Sequence, residues 1–131
     1  MDAQQALADL TEISSQIEAA VLFDEQGGVA GSTLANEDAA QALAAAAGRL
    51  LEEAGTFRSA GGEVTQLEAS THEGSVFVVR DGARRIAATT GPSPTVGLVF
   101  YDLKSCLRGT EAPAKPKRRT KRKEEPADGE A

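Results

Sequence analysis

Residues 37–54, Glu-Asp-Ala-Ala-Gln-Ala-Leu-Ala-Ala-Ala-Ala-Gly-Arg-Leu-Leu-Glu-Glu-Ala, constrain this chain more than any other stretch. Alanine, leucine, glutamate and arginine are the strongest helix formers, so the segment reads as one helix. Projected at about 100° per residue, Ala46, Ala39, Leu50, Leu43, Ala54, Ala47, Ala40, Leu51 and Ala44 fill an unbroken apolar arc of roughly 160°. A helix resting on one sheet needs a narrower stripe. The surplus is small-residue surface that asks for a second partner.

The rest of the chain sets the scale. At 131 residues it has room for one domain and one core. Tryptophan is absent and aromatic residues make up only 4%, so that core must be built from Leu, Val, Ile and Ala. The net charge of −6 is unevenly spread: residues 1–109 carry seven bases against fifteen acids, and residues 110–131 carry seven bases against five acids. The N-terminus has Asp2 and no basic region followed by a long apolar run, so no signal peptide is expected. No run approaches the roughly 20 apolar residues of a membrane span. The single cysteine, Cys106, excludes an internal disulfide. A cytoplasmic location is expected.

Periodicity orders the elements. Ala6, Leu7, Leu10, Ile13 and Ile17 recur at helical spacing and predict a first helix over 3–17. Ala19–Phe23 and Val29–Ser32 flank Asp24-Glu-Gln-Gly-Gly28, which predicts a hairpin. Asn36 is the expected N-cap of the alanine-rich helix, Glu37 and Asp38 suit its first turn, and Gly55 stops it. Strands are expected at 64–71, 75–80 and 84–90, joined by His72-Glu-Gly74 and Asp81-Gly82. Ser93-Pro94 predicts the start of a last helix whose face carries Val96, Val99, Phe100, Leu103 and Leu107. The fold class is therefore α/β (α+β), in the order α-β-β-α-β-β-β-α, over a domain of residues 1–109. Residues 110–131, with Pro113, Pro116 and Pro126 and no apolar residue larger than alanine, are expected to form a disordered tail, basic then acidic.

Catalytic chemistry finds little support in this pattern. His72 is the only histidine and falls in a turn, which leaves no two-histidine metal site. Cys106 lies near the apolar stripe of the last helix and reads as a small core residue rather than a nucleophile. Gly27, Gly28 and Gly31 follow a strand, yet no Lys-Ser/Thr and no helix follow them, so they do not form a phosphate loop. Arg49, Arg58, Arg84 and Arg85 read as surface or ion-pairing residues. No cofactor, metal or catalytic residue is called for, and the chain is not expected to be an enzyme. The run Lys115, Lys117, Arg118, Arg119, Lys121, Arg122 and Lys123 offers salt-sensitive contact with phosphates or an anionic surface, but it lacks the aromatic residues that stack on bases.

Several patterns together resemble the roadblock/dynein light chain superfamily. They are Leu7–Ile17 leading into Ala20-Val-Leu-Phe-Asp24, then Gly27-Gly-Val-Ala-Gly-Ser32 and Gly62-Glu-Val-Thr-Gln-Leu-Glu68. Gly74-Ser-Val-Phe-Val-Val-Arg-Asp-Gly82 and Gly91-Pro-Ser-Pro-Thr-Val-Gly-Leu-Val-Phe-Tyr-Asp102 complete the set. The resemblance covers about residues 3–108. It implies a five-stranded antiparallel sheet sandwiched by helices, one on one face and two on the other. It also implies a homodimer, or a pairing with a roadblock paralogue, through the central helix and an edge strand.

Carried onto this chain, the interface falls on residues 37–54 and on the strand at 64–71, with Val64, Gln66 and Glu68. Ala40, Ala44 and Gly48 form an i, i+4, i+8 ridge beside Leu51, and this flank is expected to meet its copy. Leu43, Ala47, Leu50 and Ala54 would then face the sheet. Bacterial members of the MglB type imply a regulator of a small Ras-like GTPase, acting without catalytic residues of its own. The alternatives are an adaptor with no effect on GTP turnover, and a nucleic-acid or anionic-surface binder acting through residues 115–123.

Overall fold

The computed structural model describes residues 2–57 and 63–110. The chain runs α1 (Ala3–Ile13), β1 (Ile17–Asp24), β2 (Val29–Ser32), α2 (Glu37–Gly55), β3 (Gln66–Ser70), β4 (Ser75–Asp81), β5 (Arg84–Thr90) and α3 (Val96–Gly109). The strands form one antiparallel sheet in the order β2-β1-β5-β4-β3. The expected element order and fold class are those observed. The basic run 115–123 lies outside the described residues, as does Arg58.

Strand alternation divides the core into two layers. On one face Ala20, Leu22, Phe77, Ile86 and Ala88 meet α1 and α3 through Leu7, Leu10, Val99, Leu103 and Leu107. Phe77 and Phe100 pack edge to face there, with ring centroids 5.1 Å apart. On the other face Val21, Phe23, Val78 and Ala87 meet α2 alone. β1 contributes to both layers, which explains its near-continuous apolar run.

Local signals fix most of the boundaries. The Asn36 Oδ1 accepts from the Ala39 N–H at 3.0 Å, and the Asp2 Oδ1 does the same for the Gln5 N–H at 2.8 Å. In the β1–β2 turn the Asp24 Oδ1 accepts from the Gln26 and Gly28 N–H groups, both at 2.9 Å, while Gly27 supplies a φ of 87°.

Two helix boundaries differ from the sequence reading, and the strand expected at 64–71 is shorter, Gln66–Ser70. The first helix stops at Ile13, where the Ser14 N–H bonds the Leu10 carbonyl, and Ile17 opens β1 instead of closing the helix. Ile13 is accordingly 70% exposed. A helical spacing that ran on to Ile17 was coincidence, because Ile17 is needed to pair with Thr90. Ser93 does not cap α3. It takes a φ of 60°, and the helix begins at Val96 after Thr95, which has no side-chain cap bond. Gln16 accepts from the Thr95 N–H through its Oε1 at 2.6 Å, so a residue distant in sequence takes the role that Ser93 was expected to fill.

Candidate interaction surface

The rotation of α2 about its axis decides what surface the chain presents. Ala40, Ala44, Ala47 and Leu51 are buried against the sheet. Their small side chains let the helix axis lie close over Val21, Phe23, Val78 and Ala87. The expected division of faces is therefore corrected: Ala40, Ala44 and Leu51 point inward, and only Ala47 of the predicted inward set is fully buried. Leu43, Leu50 and Ala54 are half-buried, while Ala39, Ala42 and Ala46 are exposed. Gly48 is half-buried, with nothing within 4 Å of the position a Cβ would take. The flank left open carries Ala39, Leu43, Ala46 and Leu50, spaced four, three and four apart, a helix-pairing rhythm.

The sheet face beneath α2 is itself incompletely covered. α2 lies over β1, β2 and β5. Val64, Leu67 and Val76, toward the β3 side of the same face, are only partly buried. β3 is the last strand of the sheet, so one of its long edges has no neighbour among the described residues.

Hydrogen bonding shows which β3 groups that edge offers. The Thr71 N–H bonds the Gly74 carbonyl and the Arg80 N–H bonds the Thr65 carbonyl, both at 2.8 Å. In an antiparallel pair, alternate residues aim their N–H and C=O groups at the neighbouring strand. Thr65, Leu67, Ala69 and Thr71 therefore serve β4, and Gln66, Glu68 and Ser70 direct their backbone groups outward. The two strand residues singled out from the sequence, Gln66 and Glu68, both sit on this open ladder. Val64 lies just ahead of β3, with its carbonyl held by the Arg80 guanidinium. The Glu68 Oε2 accepts from the Ser70 and Ser75 hydroxyls at 2.8 and 3.1 Å. These two bonds order a carboxylate that would otherwise be free on an exposed edge.

The residues considered for catalysis are dispersed. His72 is exposed in the β3–β4 turn. Cys106 is buried, with its Sγ 3.5 Å from the Ala6 carbonyl oxygen, and burial, aided by the Asp9 charge, pushes its thiol up to about 11. Arg84 bonds the Thr110 hydroxyl through its Nη1 at 3.2 Å. Among the described residues, no three metal-ligating side chains cluster and no helix is long and apolar enough to cross a membrane.

No protein-family profile matches the sequence. No curated protein matches it either. Among solved structures, a roadblock/LC7 domain from Streptomyces avermitilis superposes with a TM-score of 0.74 at 21% identity, over 83% of this chain and 94% of that one. The fold is the roadblock fold. The gliding protein MglB from Thermus thermophilus is also similar, with a TM-score of 0.69 at 12% identity, over 82% of this chain and 84% of that one. An MglB in a tetrameric arrangement gives a TM-score of 0.70 at 12% identity, again over 82% and 84%. Within the roadblock fold, α2 and β3 form the apolar helix flank and open strand edge described above.

Proposed function

We propose that two copies of this chain join through β3 and the outward flank of α2, and that the resulting dimer is a regulatory or adaptor platform for a small Ras-like GTPase. The observation that carries this reading is a partly buried cluster beside an open strand. The partly buried Val64, Leu67 and Val76 share one cluster with Leu43 of the α2 flank, and β3 beside them ends the sheet among the described residues. Pairing two edges supplies partners for exposed backbone groups, and docking two helices buries their apolar flanks. The likeness to MglB supports a partner of the GTPase class by analogy of fold. The chain would act by reorganising the GTPase's own catalytic groups, with no catalytic residue of its own.

Sedimentation at tens of micromolar tests the first half. A monomer at every concentration refutes the dimer. Glu68→Pro sharpens the test, because the Glu68 N–H points away from β4 and its loss spares the monomer's own ladder. The variant is expected to stay folded and sediment as a monomer. Pull-down of a cognate GTPase in its GDP and GTP states tests the second half, and capture in neither state removes it. Single-turnover GTP hydrolysis with and without the chain then separates a regulator from an adaptor.

A further inference from the structure

α1 and α3 cover the face of the sheet opposite α2, so pairing through α2 and β3 does not involve their outer surface. That surface is apolar. Among the described residues, Ile13, Phe57, Val96, Leu98 and Tyr101 are the large apolar side chains left exposed, and all but Phe57 lie on these two helices. Ile13 is 70% exposed and Tyr101 65%. Between the helices lies a groove of about 250 Å³, lined by Leu10 and Ile13 from α1 and by Tyr101 and Cys106 from α3. Grouped apolar exposure of this kind marks an interaction surface.

Charge selects the kind of partner that fits. Asp9 and Asp102 line the groove, and among the described residues no lysine, arginine or histidine does. α1 carries Asp9 and Glu12 and no base. The Asp9 charge is felt at the groove: after burial, the larger cause, it helps to raise the Cys106 thiol. The cations of α3, Lys104 and Arg108, line a separate hollow with Thr65 and Gln66. A second copy seated here would set these aspartates against their own equivalents, an unfavourable like-charge contact. An apolar partner that carries cations meets no such opposition. Its lysine and arginine stems would cover the apolar rim, and a guanidinium suits the face of Tyr101.

The lining residues also set the shape. Ala6, Leu10 and Ile13 on α1, and Tyr101, Ser105 and Gly109 on α3, are spaced three or four apart, so each helix gives the groove one ridge. Two such ridges bound a valley that a third helix can fill. The 11 residues of α1 measure roughly 17 Å, or about three turns. We propose that the groove between α1 and α3 docks an amphipathic helix of a partner protein, about three turns long. Its apolar stripe covers Ile13 and Tyr101, and its lysine or arginine residues meet Asp9 and Asp102. This assignment is independent of the GTPase reading.

Tyr101 is the only tyrosine and tryptophan is absent, so the emission of the full-length chain reports on this groove. The probe is a synthetic peptide of leucine and lysine alone, with its leucines at helical spacing. It should change the Tyr101 emission saturably and shift the amides of Asp9, Ile13, Tyr101 and Cys106 above all others. Ile13→Gln, at an exposed position that tolerates the change, should weaken binding about tenfold. Asp9→Asn should weaken it about two- to fivefold. Equal binding by a leucine–glutamate peptide of the same pattern would overturn the proposal. Equal binding by a leucine–lysine peptide with its leucines at alternate positions would do the same. So would amide shifts centred on α2 and β3, unchanged binding by Ile13→Gln, or no saturation at about 1 mM peptide. Tyr101 emission that varies with the concentration of the chain alone would assign the groove to a second copy and overturn it too.

Discussion

The Arg80 guanidinium holds the Val64 carbonyl with two hydrogen bonds, from Nε at 3.0 Å and from Nη2 at 2.8 Å. This clamp ties the segment entering β3 to β4 and so anchors the sheet's outermost strand. Bonds from a charged donor contribute about 1.5–3 kcal/mol. Arg80→Met keeps much of the aliphatic bulk and removes both donors. It should lower stability by about that amount and should release the β3 amides to hydrogen exchange before the rest of the sheet. Lysine should rescue only part of the loss, because an ammonium cannot reproduce the two-pronged geometry.

Gly74 lies against the chain reversal that follows β5. A Cβ at this position would collide with the Thr90 carbonyl oxygen, a backbone atom that cannot swing aside. Gly74→Ala should therefore cost about 1–3 kcal/mol through forced backbone shifts. Thermal unfolding of the variant checks this. A change below about half a kcal/mol would show that the β3–β4 turn yields more freely than the packing implies.

The two sides of α2 should respond in opposite ways to the same substitution. Ala44 is buried against the sheet, so Ala44→Leu should overpack that layer and cost about 1–3 kcal/mol. Ala46 is exposed, and Ala46→Leu should change monomer stability by less than about 0.5 kcal/mol. Leu51→Ala, which empties a fully buried site, should cost about 2–5 kcal/mol. Urea denaturation of the three variants at low protein concentration distinguishes the inward from the outward side.

The thiol of Cys106 makes stability depend on alkaline pH. Burial raises its pKa from 9.0 to about 11, so the folded state holds the proton more tightly than the unfolded state does. The associated stability is complete below pH 9 and is lost as pH rises toward 11. Cys106→Ala lacks this contribution. The difference between native and variant stability, measured by denaturant at about pH 8 and again near pH 11, should shrink at the higher pH.

Much of this fold was legible locally. Asn36, the Asp24–Gly28 turn and the alternation in β4 each carry their instruction within a few residues, because caps, turns and strand faces are set by near neighbours. Glu68 was legible as a strand residue, while its place on the sheet's outer ladder depended on which strand β3 would border. Ile17 and Ser93 were misread for a related reason. Ile17 follows a helical rhythm but is claimed by Thr90 across the sheet, and the role expected of Ser93 at the start of α3 is filled by Gln16 from far upstream.

By itself, the sequence determined that residues 37–54 form a helix with more apolar surface than one sheet can cover. An arc of roughly 160° is too broad to say which part points inward. The tertiary structure decided that. Ala40, Ala44 and Ala47 went beneath the helix because the shortest side chains permit the closest approach to Val21, Phe23, Val78 and Ala87. Leu43 and Leu50 were left half-buried at the border with water. Helix propensity is a property of each residue, whereas the rotation of a helix is chosen by the shape of the surface it meets.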